Sequence, residues 1–185
     1  MNKGRLLVTV LALLAAATVR AGPLAQWQAT YTVTQGSIEG GEAVQAYQAQ
    51  DGRYRYTLDV TPGGVVALFT QETFHDQSEG TVGSRGWQPQ RYVHTRSGGR
   101  KQRDYEFLFD WKAKQTRERQ GDRPPATLLP GTLDELTYVE ALRRTLAKGS
   151  TSLVLPVLYG SDGEIREYRL ETQGEEEIST PAGTF

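Results

Sequence analysis

The chain has 185 residues, 37% of them apolar and 23% charged, with 20 Gly, 8 Pro and no Cys. That is enough for one globular domain and too little for two of ordinary size. A formal charge of -1 excludes a strongly basic nucleic-acid binder, and the missing cysteines exclude a disulfide framework, a thiolate nucleophile and a lipid-modified anchor cysteine.

Residues 1–21 have the layout of a secretory signal peptide. Lys3 and Arg5 precede an apolar run from Leu6 to Val19, which is shorter than the roughly 20 residues of a membrane-spanning helix. Cleavage is expected after Ala21, and Gly22-Pro23 would break any continuing helix. Losing Lys3, Arg5 and Arg20 leaves residues 22–185 as a single, mildly acidic domain of net charge -4. An exported chain without cysteine fits a bacterial periplasm, and nothing later approaches spanning length.

From Trp27 to about Arg119 the pattern has period two, which predicts antiparallel strands. Trp27, Ala29, Tyr31 and Val33 alternate with polar residues until Gly36 and Gly40-Gly41. A segment from Glu42 to Gln50 meets the turn signal Asp51-Gly52, and Tyr54, Tyr56, Leu58 and Val60 then alternate with Arg53, Arg55, Thr57 and Asp59. Val65 to Phe74 carries apolar residues on both faces at its start, which predicts a strand buried on both sides there. A strand from Arg91 to Arg96 follows, and then one whose single face holds Tyr105, Phe107, Phe109 and Trp111. That aromatic stripe suits core packing or the wall of a ligand cavity.

After a proline-rich loop from Gly121 to Gly131, residues Thr132 to Lys148 change period. Leu133, Leu136, Val139, Leu142 and Leu146 recur at spacings of three and four, with acids early, Arg143, Arg144 and Lys148 late, and Gly149 as the stop. This predicts one amphipathic helix. Two strands, Ser152 to Tyr159 and Glu164 to Thr172, flank a Gly-Ser-Asp-Gly turn, and another strand begins near the end of the chain. The fold class read from this order is mainly β. It is a curved antiparallel meander of about eight strands forming an open barrel or half-barrel, with one amphipathic α-helix packed on it.

Several short motifs carry a family resemblance: the Ala29 to Thr34 strand with Gly36, Gly86-Trp87-Gln88-Pro89-Gln90-Arg91-Tyr92, Phe109-Asp110-Trp111, Asp134-Glu135-Leu136-Thr137, and Thr180-Pro181-Ala182-Gly183-Thr184-Phe185. In this order and spacing, together with the signal peptide, they resemble the bacterial family called domain of unknown function 3108 across nearly all of residues 22–185. The resemblance implies an exported protein with a curved antiparallel sheet and no assigned catalytic residues. Members of that family look longer, so the chain is expected to be a truncated reading that lacks a terminal strand or two.

The search for chemistry gives mostly absences. His75 and His94 would face each other across a hairpin centred on Ser84-Arg85, with Asp76 or Glu72 as a third ligand, but no metal-binding motif accompanies them. Ser78, Ser84, Ser97 and Ser161 read as turn serines without a nucleophile's setting, and the acidic neighbours Asp134 and Glu135 read as diverging on a helix. No phosphate loop or dinucleotide fingerprint is present, so no metal and no cofactor is expected. Arg96, Arg100, Lys101, Arg103, Lys112, Lys114, Arg117 and Arg119 read as solvated hairpin ends rather than as a polyanion strip. The expected function is therefore non-enzymatic: a periplasmic carrier of an apolar or lipid-like ligand. Tyr31, Tyr56, Phe69, Phe107, Phe109 and Trp111 would line the concave face, with Leu136, Val139 and Leu142 as the lid. The rival reading is an envelope protein-interaction module with a packed core and an exposed Trp87.

Overall fold

In the computed structural model, which describes residues 26–99, 103–180 and 182–184, the period-two segments pair in sequence order. β1 (Gln26–Gln35), β2 (Ile38–Gln50), β3 (Arg53–Pro62), β4 (Thr73–Gly83), β5 (Gly86–Ser97), β6 (Tyr105–Asp110) and β7 (Gln115–Glu118) form one seven-stranded antiparallel meander. The sheet does not close, because β1 and β7 remain its two edges. The expected signal segment, Arg100 and Lys101 lie outside the described residues. No helix among the described residues is long and apolar enough to cross a membrane.

Two local features shape the sheet. At the β2–β3 turn Asp51 (φ 51°) and Gly52 (φ 74°) both take the left-handed conformation that a two-residue hairpin demands. In the β4–β5 hairpin, Gly80 pairs with Pro89 but Glu79 pairs with Arg91, so Gln90 is an extra residue and the strand bulges. Gly80 is required there, since a Cβ would stand 2.3 Å from the Gln88 carbonyl oxygen and 2.9 Å from the Tyr54 ring.

The rest of the chain caps the sheet. Helix α1 spans Thr137–Leu146, and β8 (Ser152–Tyr159) pairs with β9 (Glu164–Glu171) as a separate hairpin. Leu133 bridges Val157 in parallel, with Leu133 N–H bonded to the Pro156 carbonyl and Leu158 N–H to that of Leu133. The Arg144 guanidinium donates to the carbonyls of Gly83 and Ser84, fixing the late part of α1 to the β4–β5 turn. Beneath this cap the core joins Tyr47, Tyr54, Tyr56, Tyr92, Phe107 and Phe109 of the sheet to Leu128, Leu136 and Leu158. Two-residue strands β10 (Ser179–Thr180) and β11 (Gly183–Thr184) pair with each other.

Three expectations need correction. The Val65 to Phe74 segment is not a doubly buried strand: residues Val66–Leu68 form a short 3-10 turn and β4 starts at Thr73. Gly40-Gly41 does not end the first strand but lies within β2. The helix starts at Thr137, not Thr132, because Leu133 is engaged with β8 and Asp134 acts as a cap.

The convex face carries an ion ladder across four strands, β3 to β6, ending on Arg119 just past β7. Arg55 meets Glu79 at 2.6 Å, Arg91 lies between Glu79 (3.6 Å) and Glu106 (2.7 Å), and Arg119 closes on Glu106 at 3.1 Å. The Arg91 guanidinium holds the Glu106 carboxyl below its ordinary value, against an opposing contribution from burial. Arg91→Ala is expected to cost about 1 kcal/mol by removing the centre of this half-exposed network. Urea unfolding at low and high salt would check it, with the loss shrinking as salt rises.

Candidate functional site

Strand alternation fixes what faces the cap. Tyr56 pairs with Tyr47 and with Ser78, Ser78 with Tyr92, and Tyr92 with Phe107, so one row of the concave face crosses from β2 to β6. The next row, Leu58, Asp76, His94 and Tyr105, runs beside it. Polar groups of the first row, Ser78 and Tyr92, meet the segment that leads into α1.

The first meeting point is Asp134, which is fully buried. Its Oδ1 accepts from the backbone N–H groups of Leu136 (3.1 Å) and Thr137 (2.9 Å) and from the Thr137 hydroxyl (2.9 Å), while its own N–H donates to Thr137 Oγ1. This is a reciprocal cap on the helix start. Its Oδ2 accepts from Ser78 Oγ at 2.5 Å, and Ser78 stands 2.9 Å from the Tyr54 hydroxyl. Burial pushes the Asp134 carboxyl upward from its ordinary value, opposed by the bonds from Ser78, Thr137 and Leu136.

The second is Glu135. Its Oε2 lies 3.1 Å from the Tyr92 hydroxyl and accepts from the Gly160 N–H at 3.1 Å, so one carboxyl joins β5, the α1 approach and the β8–β9 turn. Tyr92 also reaches Asp76 Oδ1 at 2.9 Å, and His94 Nδ1 meets the same oxygen at 2.8 Å. Burial again raises the Glu135 carboxyl. The acidic neighbours do not diverge on a helix as expected: both precede α1, and their carboxyls reach the paired residues Ser78 and Tyr92 of the sheet.

Ser78 overturns its reading as a turn serine: it is buried inside β4. The histidine pair is also corrected. His75 pairs with Thr95 and His94 with Asp76, because the Gln90 bulge shifts the register by one and sends the two rings to opposite faces. His75 bonds Asp59 at 2.6 Å. Among the described residues no cluster of three His, Asp or Glu could hold a metal.

Of the residues expected to line a ligand site, Tyr56, Phe107, Phe109 and Leu136 come together, but as interlocked core under the cap. Trp111 is half-buried and donates its ring N–H to the Pro89 carbonyl at 2.6 Å. Tyr31, 48% exposed, lies on the concave face in the middle of the edge strand β1. Phe69 is a correction: it is 88% exposed beside the 3-10 turn and takes no part in the concave cluster. Trp87 is half-buried, donates to the Tyr47 hydroxyl at 2.9 Å and lies under the Arg144 guanidinium, so it is not an exposed docking side chain.

Leu142 and half-buried Val139 belong to the helix, and Leu142 leads to a different space. Between α1 and the β8–β9 hairpin is a cleft of about 190 Å³ walled by Leu142, Leu146, Leu153 and Leu170, with Thr145 and Thr172 at its edge. A larger, polar groove of about 760 Å³ runs along the outer end of the sheet beside Gln26, Gln48, Arg53, Arg55, Glu79 and Arg91. The apolar cleft was not legible in the sequence, since it depends on how the hairpin leans on the helix.

The family model described as "Protein of unknown function (DUF3108)" matches residues 30–185. The chain belongs to that family. No curated protein and no solved structure shows a significant match to it.

Proposed function

We propose that this member of the DUF3108 family is a non-enzymatic periplasmic protein that binds an apolar, acyl-chain-like ligand in the cleft between α1 and the β8–β9 hairpin. The observation that carries this reading is the cleft of about 190 Å³ with leucine on both walls. It exceeds the roughly 150 Å³ of an apolar cavity that admits a benzene ring. Its walls come from two elements outside the main sheet, so they can separate without breaking a sheet ladder. A hydroxyl-bearing rim of Thr145, Ser150, Thr151, Ser152 and Thr172 suits a ligand with one polar end. The concave aromatic face supports the site by holding the cap in place.

Native mass spectrometry with solvent extraction, on protein purified from periplasm without detergent, tests this reading. A stoichiometric adduct that extracts as lipid is expected. Leu146→Trp, at a partly exposed position on the cleft wall, is expected to remove most of that adduct while leaving the unfolding midpoint nearly unchanged. A clean apo mass from folded protein overturns the reading and moves the weight to an envelope protein partner.

A further inference from the structure

We infer that the loop between β3 and β4 is a membrane-contacting tip, which seats the protein on the surface of a lipid bilayer. This inference is independent of the cleft and its ligand. From Val60 to Gln71 the chain runs for twelve residues without a charge, in a protein that is 23% charged. At its centre Val65, Leu68 and Phe69 are 57%, 79% and 88% exposed, the last two being the most exposed large apolar side chains among the described residues. Exposed apolar residues scattered singly are ordinary, but three within five positions at one protruding turn mark a contact surface.

The backbone selects the kind of partner. Ala67 N–H bonds to the Gly63 carbonyl, Leu68 N–H to Val65, and Phe69 and Thr70 N–H to Val66. Four amides of the tip, from Ala67 to Thr70, are thus bonded within the turn rather than to water, which lowers the cost of entering the apolar boundary of a bilayer. A protein partner adding to a sheet edge would instead need free backbone groups. The root is held firmly: Gly63 N–H bonds to the Gly40 carbonyl at 3.1 Å, and a Cβ on Gly64 (φ +52°) would stand 3.0 Å from the Glu39 oxygen. Ile38 and Val33, 53% and 40% exposed, lie at the same end of the sheet around the β1–β2 turn and extend the apolar surface. The tip itself carries no charge from Val60 to Gln71. The contact is therefore apolar rather than electrostatic, and neutral lipid suffices.

Flotation with vesicles of phosphatidylcholine, and separately of phosphatidylethanolamine with phosphatidylglycerol, tests the inference. Binding to both compositions, unchanged by high salt, is expected. Leu68→Ser with Phe69→Ser is expected to reduce it about tenfold or more. Both side chains are exposed, so the melting temperature should hold. In Phe69→Trp, the fluorescence should shift to the blue on vesicle addition and be quenched by bromine-labelled lipid. Absence of binding by the folded protein overturns the inference, as does binding confined to anionic vesicles and lost in salt. It is equally overturned if the serine variant abolishes a self-association seen without lipid, which would make the tip an interface between copies.

Discussion

Replacing Asp134 with alanine is expected to lower the unfolding free energy by about 3 kcal/mol or more, the largest effect of any single polar substitution in the cap. Two losses combine. The side chain caps α1 through Leu136 and Thr137, a contribution of about 1 kcal/mol. It also receives the Ser78 hydroxyl inside the core, and an orphaned buried donor there costs about 1–3 kcal/mol. Asp134→Asn separates the two. Asparagine keeps a carbonyl oxygen for the cap, and its amide can donate to Ser78, which then donates to Tyr54. It should therefore recover most of the loss. Ser78→Ala alone strips both Tyr54 and Asp134 of a partner. Combined with Asp134→Ala it should cost clearly less than the sum of the two single changes, because they dismantle one network. Urea unfolding of the four proteins decides the matter. A loss under about 1 kcal/mol for Asp134→Ala, or strict additivity with Ser78→Ala, would show that the network does not hold the cap.

Three of the five motifs that carry the family resemblance supply contacts that hold the concave face and its cap together. Trp87 bonds Tyr47 across the concave face, Trp111 bonds the carbonyl of Pro89 beside the bulge, and Asp134 with Thr137 caps the helix and pins it to β4. Alternation was enough to place Tyr54, Tyr56, Phe107 and Phe109 on one face, since a period of two depends only on neighbouring residues. The same alternation puts Asp76 and Ser78 on that face after Phe74, although the glycines that follow Ser78 give the segment the composition of a turn. The Asp-x-x-Thr spacing was a readable cap signal that would have set the helix start at Thr137. What local pattern could not give was register past a bulge. Gln90 alone separates an expected His75–His94 pair from the observed His94–Asp76 and His75–Asp59 pairs. Nor could it tell an apolar run exposed at a turn from one buried in a strand, because Val65 to Phe69 has the composition of both.

Stability should fall as pH rises above the ordinary carboxylate range, and Glu135→Gln should remove up to one proton's worth of that fall. Tyr92 has one hydroxyl proton, yet its oxygen contacts both Asp76 and Glu135. Burial pushes the tyrosine far upward, so it stays protonated, and raises Glu135 as well. With Glu135 neutral, its proton can serve the Tyr92 oxygen while Tyr92 donates to Asp76, and both contacts are satisfied. A carboxyl raised in the folded state binds more protons folded than unfolded between its unfolded and folded values. Stability then declines across that window by up to about 1.4 kcal/mol per pH unit and levels off above it. Asp134, also raised, adds a decline of the same sign, and Asp76, His94, Tyr105 and Tyr168 are the other groups facing Glu135. The ladder on the convex face acts oppositely: Glu106 is lowered, so its contribution is present above the ordinary carboxylate range and is lost only as pH falls below it. Glutamine at 135 can keep its carbonyl oxygen at the place where Oε2 meets both the Tyr92 hydroxyl and the Gly160 N–H, so the variant should stay within about 1 kcal/mol of the parent at neutral pH and show a flatter profile. Chemical denaturation from about pH 4 to pH 8 reads both quantities. A profile in Glu135→Gln parallel to that of the parent would mean that the proton bridging the cap to Tyr92 resides elsewhere.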